Sequence, residues 1–334
     1  MDRRALIVGI DHYDLDRIPN LNSCVEDART IERLLSQHAN GDANYDCRCI
    51  VSGGSRRVTR ARLRKEWEGL FASFDGDILF YFSGHGKSSS TGGYFVTQDG
   101  SEYDPGLFMN EVISLANQSE ARNVVLIIDC CHAGLTATFP GVTSRHDLST
   151  IREGVTVLAG ARGIENAFVE NGKSIFTSLI VQALEGGASD IEGQVTTASV
   201  YSFVERLLGV WQQRPMYKSN SIRSLVLRNC RSLVTRSEIR ELIRLFDTPE
   251  AEYQLDPQFE DYELEDPDSP RDEKNITIFR AGDREKNRTR ALLKTCQIAG
   301  LLKPRDRTAL FWAMMYSETA VLTDLGKFYW KAGK

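Results

Sequence analysis

The sequence predicts an α/β fold, a mostly parallel sheet flanked by helices on both faces, followed by a small C-terminal module. Three observations predict it. Short apolar runs rich in β-branched residues alternate with amphipathic segments, the pattern of right-handed βαβ units. The two strongest runs, residues 77–82 and 123–128, are apolar throughout, as strands buried on both faces must be. Composition then changes after Cys230, where Asp and Glu become dense.

The elements follow in order. Residues 5–10 read as a strand, and 23–38 as a helix with Val25, Ala28, Ile31, Leu34 and Leu35 on one face. Residues 47–51 read as a strand, 59–72 as a helix opened by Thr59, and 77–82 as a strand. A short hairpin arm is expected at 93–97, a helix at 107–117 and strands at 123–128 and 153–159. Between His132 and Glu153 lies a segment with Pro140, Gly141 and several Ser and Thr, read as a long surface loop. Helices at 174–185 and 196–211 and a last strand at 222–227 complete a domain spanning 1–230. Residues 231–274, with Asp-Pro at 256–257 and 266–267, read as an acidic, solvated linker. Residues 275–334 regain a core pattern: a helix from Arg288 to Leu301, a β-like arm, and a Leu-Thr-x-x-Gly helix start at Leu322. Together these suggest a winged-helix-like module.

The net charge of −5 over 334 residues argues against a general nucleic-acid or anionic-membrane binder. It also counts against reading the C-terminal module as a DNA-binding regulator. No apolar run approaches membrane-spanning length, and the first apolar run is too short for a signal-peptide core. Seven cysteines without framework spacing point to free thiols in a reducing cytoplasm. Cys47 and Cys49 share one strand face and read as core.

The chemistry sits at two strand ends. One strand runs into Ser83-Gly84-His85-Gly86 and the other into Asp129-Cys130-Cys131-His132-Ala133-Gly134. In open α/β sheets ligands bind beyond the carboxyl ends of the strands. An imidazole and a thiol delivered there suggest a Cys-His nucleophile pair. Such a pair also needs donors for the oxyanion, and the Gly86 and Cys131 N–H groups fit that role. Zinc held by Cys130, Cys131, His132 and His85 is the weaker reading. Adjacent cysteines on a strand end point apart, and Cys-x-x-Cys spacing is missing.

These paired motifs resemble the metacaspases and prokaryotic caspase-like cysteine proteases. So do Ala5–Ile10, Leu21–Ala28, Val157–Ala161 and Phe176–Leu179, and the resemblance spans roughly residues 3–228. It implies a caspase-like fold, with Cys131 as nucleophile, Cys130 as its neighbour and His85 as general base and later acid. It names no third catalytic member. It also implies a substrate pocket (S1) at Cys24, Asp27, Ser83 and Asp129. Two carboxylates there suit a guanidinium, so cleavage is expected after Arg, with Lys second. Animal caspases, which cut after Asp, carry Arg in that pocket and Gln before the nucleophile; this chain has Asp129 in the Gln position. Glu165 is a further acidic candidate on the substrate-binding loop.

Some metacaspases bind calcium through acidic residues after the His motif. Asp99, Asp104, Asn110 and Glu111 occupy that region but depart from paired aspartates, so calcium is kept only as an alternative, no metal ligand is assigned and no organic cofactor is implied. Arg145 and Arg152, in the loop after the thiols, are candidate processing sites for self-cleavage or an upstream activating protease, as in a zymogen. The expected partners are protein or peptide substrates, not nucleic acid or membrane, in a stress, cell-death or defence pathway. The rival reading is a catalytically silent scaffold that acts through its C-terminal module.

Overall fold

A computed structural model describes residues 2–53, 57–89, 92–130, 151–160, 169–170, 173–208, 215–260, 262–264, 276–278, 284–306 and 309–333. The chain divides into two compact units, Met1–Arg231 and Ser232–Lys334.

The first unit is built on six strands: β1 (Arg3–Gly9), β2 (Asp46–Val51), β3 (Asp77–Ser83), β7 (Asn123–Asp129), β8 (Val155–Ala159) and β12 (Met216–Asn220). Their order across the sheet is β12-β8-β7-β3-β1-β2, and every pair is parallel except β12 with β8. Two clusters of buried side chains cover its faces. Ile78, Phe80 and Phe82 point to one, and Leu79 and Tyr81 to the other, the period-two alternation of a strand buried on both sides.

Helices α2 (Arg60–Phe71) and α3 (Met109–Gln118) contribute to the first cluster. There Trp67 meets Phe80 and Phe95 edge-on, with ring centroids 5.7 and 5.8 Å apart. Helices α1 (Cys24–Ser36), α4 (Ile175–Gln182) and α5 (Thr197–Leu208) contribute to the second. A small antiparallel sheet of β4 (Gly86–Ser89), β5 (Gly92–Val96) and β6 (Gly106–Phe108) grows directly out of the end of β3. The pairs β9 (Val169–Glu170) with β10 (Lys173–Ser174) and β11 (Gln194–Thr196) with β13 (Val226–Asn229) are separate ribbons.

The main differences from expectation lie at the end of this unit. The strand expected at 222–227 is β13, and it pairs with β11 rather than extending the main sheet. The sheet instead ends on β12, Met-Tyr-Lys-Ser-Asn, whose half-buried, mostly polar side chains carry little strand signal. The helix expected at 196–211 is α5 over Thr197–Leu208, and residues 209–211 lie outside the described residues.

The second unit also corrects the expectation of a solvated linker at 231–274. Helix α6 (Arg236–Arg244) opens with a capping box between Thr235 and Glu238 and buries Ile239, Leu242 and Ile243. Beyond it, β14 (Glu252–Gln254) joins β17 (Leu302–Pro304) and β18 (Thr319–Leu322) in an antiparallel sheet. Glu260 is 1% exposed and pairs with Lys294 at 2.6 Å and Arg290 at 3.6 Å, so at least one of the acidic residues is structural. The ribbon β15 (Tyr262–Leu264) with β16 (Ile276–Ile278) and helices α7 (Arg284–Ile298), α8 (Leu310–Met315) and α9 (Asp324–Ala332) complete the unit. Thr323 caps α9 by accepting from the Gly326 N–H, at the helix start read from Leu322 onward. Among the described residues no helix is long and apolar enough to cross a membrane.

Candidate active site

Strands β3 and β7 lie side by side in register, and their last residues, Ser83 and Asp129, are direct partners. The chain leaving β3 therefore presents His85 next to the point where β7 delivers Asp129 and Cys130. The Gly84 N–H donates to the Asp129 carbonyl at 3.3 Å and extends the pairing past the strand end.

His85 is half-buried and held by its surroundings. Its backbone N–H donates to the Tyr13 hydroxyl at 2.8 Å, and that hydroxyl donates to the Ile10 carbonyl at 3.0 Å. The two rings lie 5.0 Å apart. The His85 Nε2 is 2.7 Å from the Pro19 carbonyl oxygen. A carbonyl only accepts, so Nε2 carries the proton and Nδ1 of the neutral ring is left with its lone pair. Neither Tyr13 nor Pro19 was among the residues expected at the site. A main-chain acceptor has no side-chain signature, and Tyr13 lies 72 positions from His85.

Burial tells the cysteines apart. Cys130 is 2% exposed within the α2/α3-side core cluster. Cys24 is buried, its thiol hydrogen-bonds the Ser83 side chain, and burial pushes its pKa far above the ordinary thiol range, with Asp129, Asp11 and Asp27 adding to the rise. Neither is placed to be a reactive thiolate. Burial, with Glu32 nearby, likewise raises Cys47 and Cys49 to about 12, in keeping with their packing against the core. Among the described residues no two cysteines form a disulfide.

The structure brings Cys24, Asp27, Ser83 and Asp129 together below α1, all of them buried. Gly9 permits this, because a Cβ there would come within 2.2 Å of the Cys24 carbonyl oxygen. Asp11 also takes part, although its sequence position did not suggest it. It is buried, and its carboxylate accepts from the Cys24 N–H at 2.8 Å and the Val25 N–H at 3.2 Å. It thereby caps α1 in place of Ser23, whose side chain makes no cap bond. Asp11→Ala is expected to cost about 1–2 kcal/mol of stability, read as a lower denaturant midpoint.

Asp129 is 3% exposed and rests on the N-terminus of α4. Thr177 Oγ1 donates to its Oδ2 at 2.5 Å, and the Ser174 hydroxyl and the Thr177 N–H also bond it. Thr177 spends its hydrogen on the carboxylate, so the Tyr81 hydroxyl, 2.7 Å away, donates to Thr177. Burial raises the Asp129 pKa, and these donors oppose the rise. Burial also raises the Tyr81 pKa well above its usual value, with Asp129 and then Asp27 adding to it.

Other expected residues lie elsewhere. Gly86 begins β4, paired with Phe95. Asp99 accepts from the Thr97 hydroxyl and the Arg60 N–H, Arg60 pairs with both Asp99 and Asp104, and Glu111 pairs with Arg64 at 2.9 Å. The carboxylates weighed for calcium are thus engaged by α2 arginines. Among the described residues no group of three or more His, Cys, Asp or Glu is placed to hold a metal. Arg152 donates to the carbonyls of Ala116, Ala121 and Glu153. Cys131, His132, Arg145 and Glu165 lie outside the described residues.

A family model for the caspase domain matches residues 2–227. A crystal structure of a Geobacter sulfurreducens protein is 14% identical, with a TM-score of 0.50 over 69% of this chain and all of that one. A caspase-1 from Spodoptera frugiperda is 12% identical, with a TM-score of 0.49 over 69% of this chain and 91% of its own. No curated protein is similar enough to this sequence to count as a relative.

Proposed function

Because this chain belongs to the caspase-domain family of peptidases, we propose that it is a cysteine endopeptidase cutting after Arg, and less readily after Lys. The observations that support the reading are His85, bonded through Nε2 to the Pro19 carbonyl, and the buried cluster of Asp27 and Asp129 with Cys24 and Ser83. Cys131 is the proposed nucleophile. Of the two cysteines following Ile128, Cys130 is committed to the core. His85 Nδ1 takes the thiol proton, the thiolate attacks the scissile carbonyl, and His85 returns that proton to the leaving amine. Water, deprotonated by the same nitrogen, then hydrolyses the thioester. The N–H groups of Gly86 and Cys131 are the proposed oxyanion donors.

For specificity, Asp27 and Asp129 offer negative charge, and Cys24 and Ser83 line the pocket as neutral groups. A planar guanidinium pairs with carboxylates in two-pronged fashion and a lysine ammonium does not, which places Arg before Lys. Glu165, on the expected substrate-binding loop, is proposed as a further acid for the cationic side chain. For processing we favour Arg145 over Arg152, whose guanidinium would first have to give up three carbonyl partners. The second unit, read from sequence as winged-helix-like, is the proposed regulatory or recruiting part.

Profiling with a peptide library randomised at the cleaved position tests the reading. Arg is expected to dominate, with Lys second and Asp absent. A preference for Asp would refute the acidic pocket. No turnover, with or without calcium or limited proteolysis, would favour a silent scaffold.

A further inference from the structure

A cavity of about 310 Å³ opens beside His85. Its lining includes His85 and Gly86 together with Leu15, Ile18, Val96 and Pro105. Val96 belongs to the α2/α3-side core cluster and Ile18 packs against that cluster, whereas Tyr81 and the helices α1 and α4 that flank the carboxylates belong to the other face. Near the imidazole lie two features, a buried acidic cluster and a largely apolar cavity. The second is firmly built. The Ile18 N–H closes a turn onto the Leu15 carbonyl at 2.8 Å, and the Val96 N–H donates to the His85 carbonyl at 3.0 Å. On its charged rim Arg17 pairs with Glu102 at 3.1 Å, and Lys87 Nζ donates to the Glu102 carbonyl at 2.8 Å.

We propose that this cavity receives the side chain of the residue following the cut bond, and that it selects a branched aliphatic or aromatic one. The inference rests on the peptidase reading above. In that chemistry the leaving amine takes its proton from His85, so the departing peptide must run past the imidazole, where the cavity begins. Apolar walls favour an apolar side chain, and a charged one would give up its water against them. Pro19, whose carbonyl fixes the ring, is itself part of the wall, so the subsite and the orientation of the base share one segment.

Internally quenched peptides with Arg at the cleaved position, followed by Leu, Phe, Gly, Asp or Lys, test the proposal. The Leu and Phe peptides are expected to show kcat/KM at least about tenfold above Asp and Lys, with Gly between. Leu15→Lys is expected to shift the ratio toward the Asp peptide, a gain that misfolding cannot mimic; the profile of the unaltered protein is decisive without it. Cleavage of all five at equal rates, or a preference for a charged residue, would overturn the subsite and leave the peptidase intact. Cleavage of none, under any activating condition, would overturn both.

Discussion

His85→Ala is expected to lower kcat for Arg-peptide hydrolysis by at least about a thousandfold, with little change in melting temperature. The ring is half-buried, and its described partners are one carbonyl and one aromatic face, so its loss leaves little unsatisfied in the core. Cys131→Ala should fall as far, and the double variant no further, because the two groups act on one proton. Additive losses would show that they do not work as a pair. A variant retaining a tenth of the activity would remove His85 from the mechanism.

Asp129→Asn is expected to reduce kcat/KM for Arg peptides by about a hundredfold or more, since a guanidinium would enter a buried site missing one of its charges. Stability should move the other way. Burial raises the Asp129 pKa, so the folded state binds that proton more tightly than the unfolded chain. The carboxylate therefore weakens the fold in full above its folded pKa, and the penalty fades as pH falls from there to the lower unfolded value, below which it is absent. Asn carries no such penalty, so the variant should melt no lower than the parent near neutral pH. Arg-peptide activity should decline in acid through a step above the ordinary Asp range. Thr177→Val removes one of the opposing donors and should move that step to higher pH, and Thr177→Ser should restore it. The facing groups are Asp11, Cys24 and Asp27 from the α1 side and Tyr81 and Ser83 from β3. A step unmoved in Thr177→Val would show that Asp129 does not set the acid limb.

Much of the first unit was legible because strands buried on both faces leave unbroken apolar runs, as in 77–82 and 123–128. Two kinds of feature were not. Edge strand β12 borrows its strand character from pairing with β8, which no local composition reports. The groups that orient the site act across long chain separations: Asp11 on the first turn of α1, Tyr13 and Pro19 on His85, and Thr177 on Asp129. Phe176-Thr177-Ser178-Leu179 matches the family in sequence, but the task of Thr177 depends on α4 meeting the end of β7. In 231–274 the signal was present and outweighed: Thr235-x-x-Glu238 and the Ile239/Leu242/Ile243 spacing mark a helix within an acidic surround.

The threefold grip of Arg152 on neighbouring carbonyls bears on what a nick in the preceding segment would do. Both flanks of such a nick are main-sheet members, β7 and β8, joined residue by residue from Val124 with Val155 to Ile128 with Ala159. Arg152 rivets the start of the downstream fragment to the end of α3 and to the approach of β7. The severed halves would thus travel as one particle through gel filtration and separate only in denaturant, so that cutting would relieve a tether without dismantling the body it belongs to.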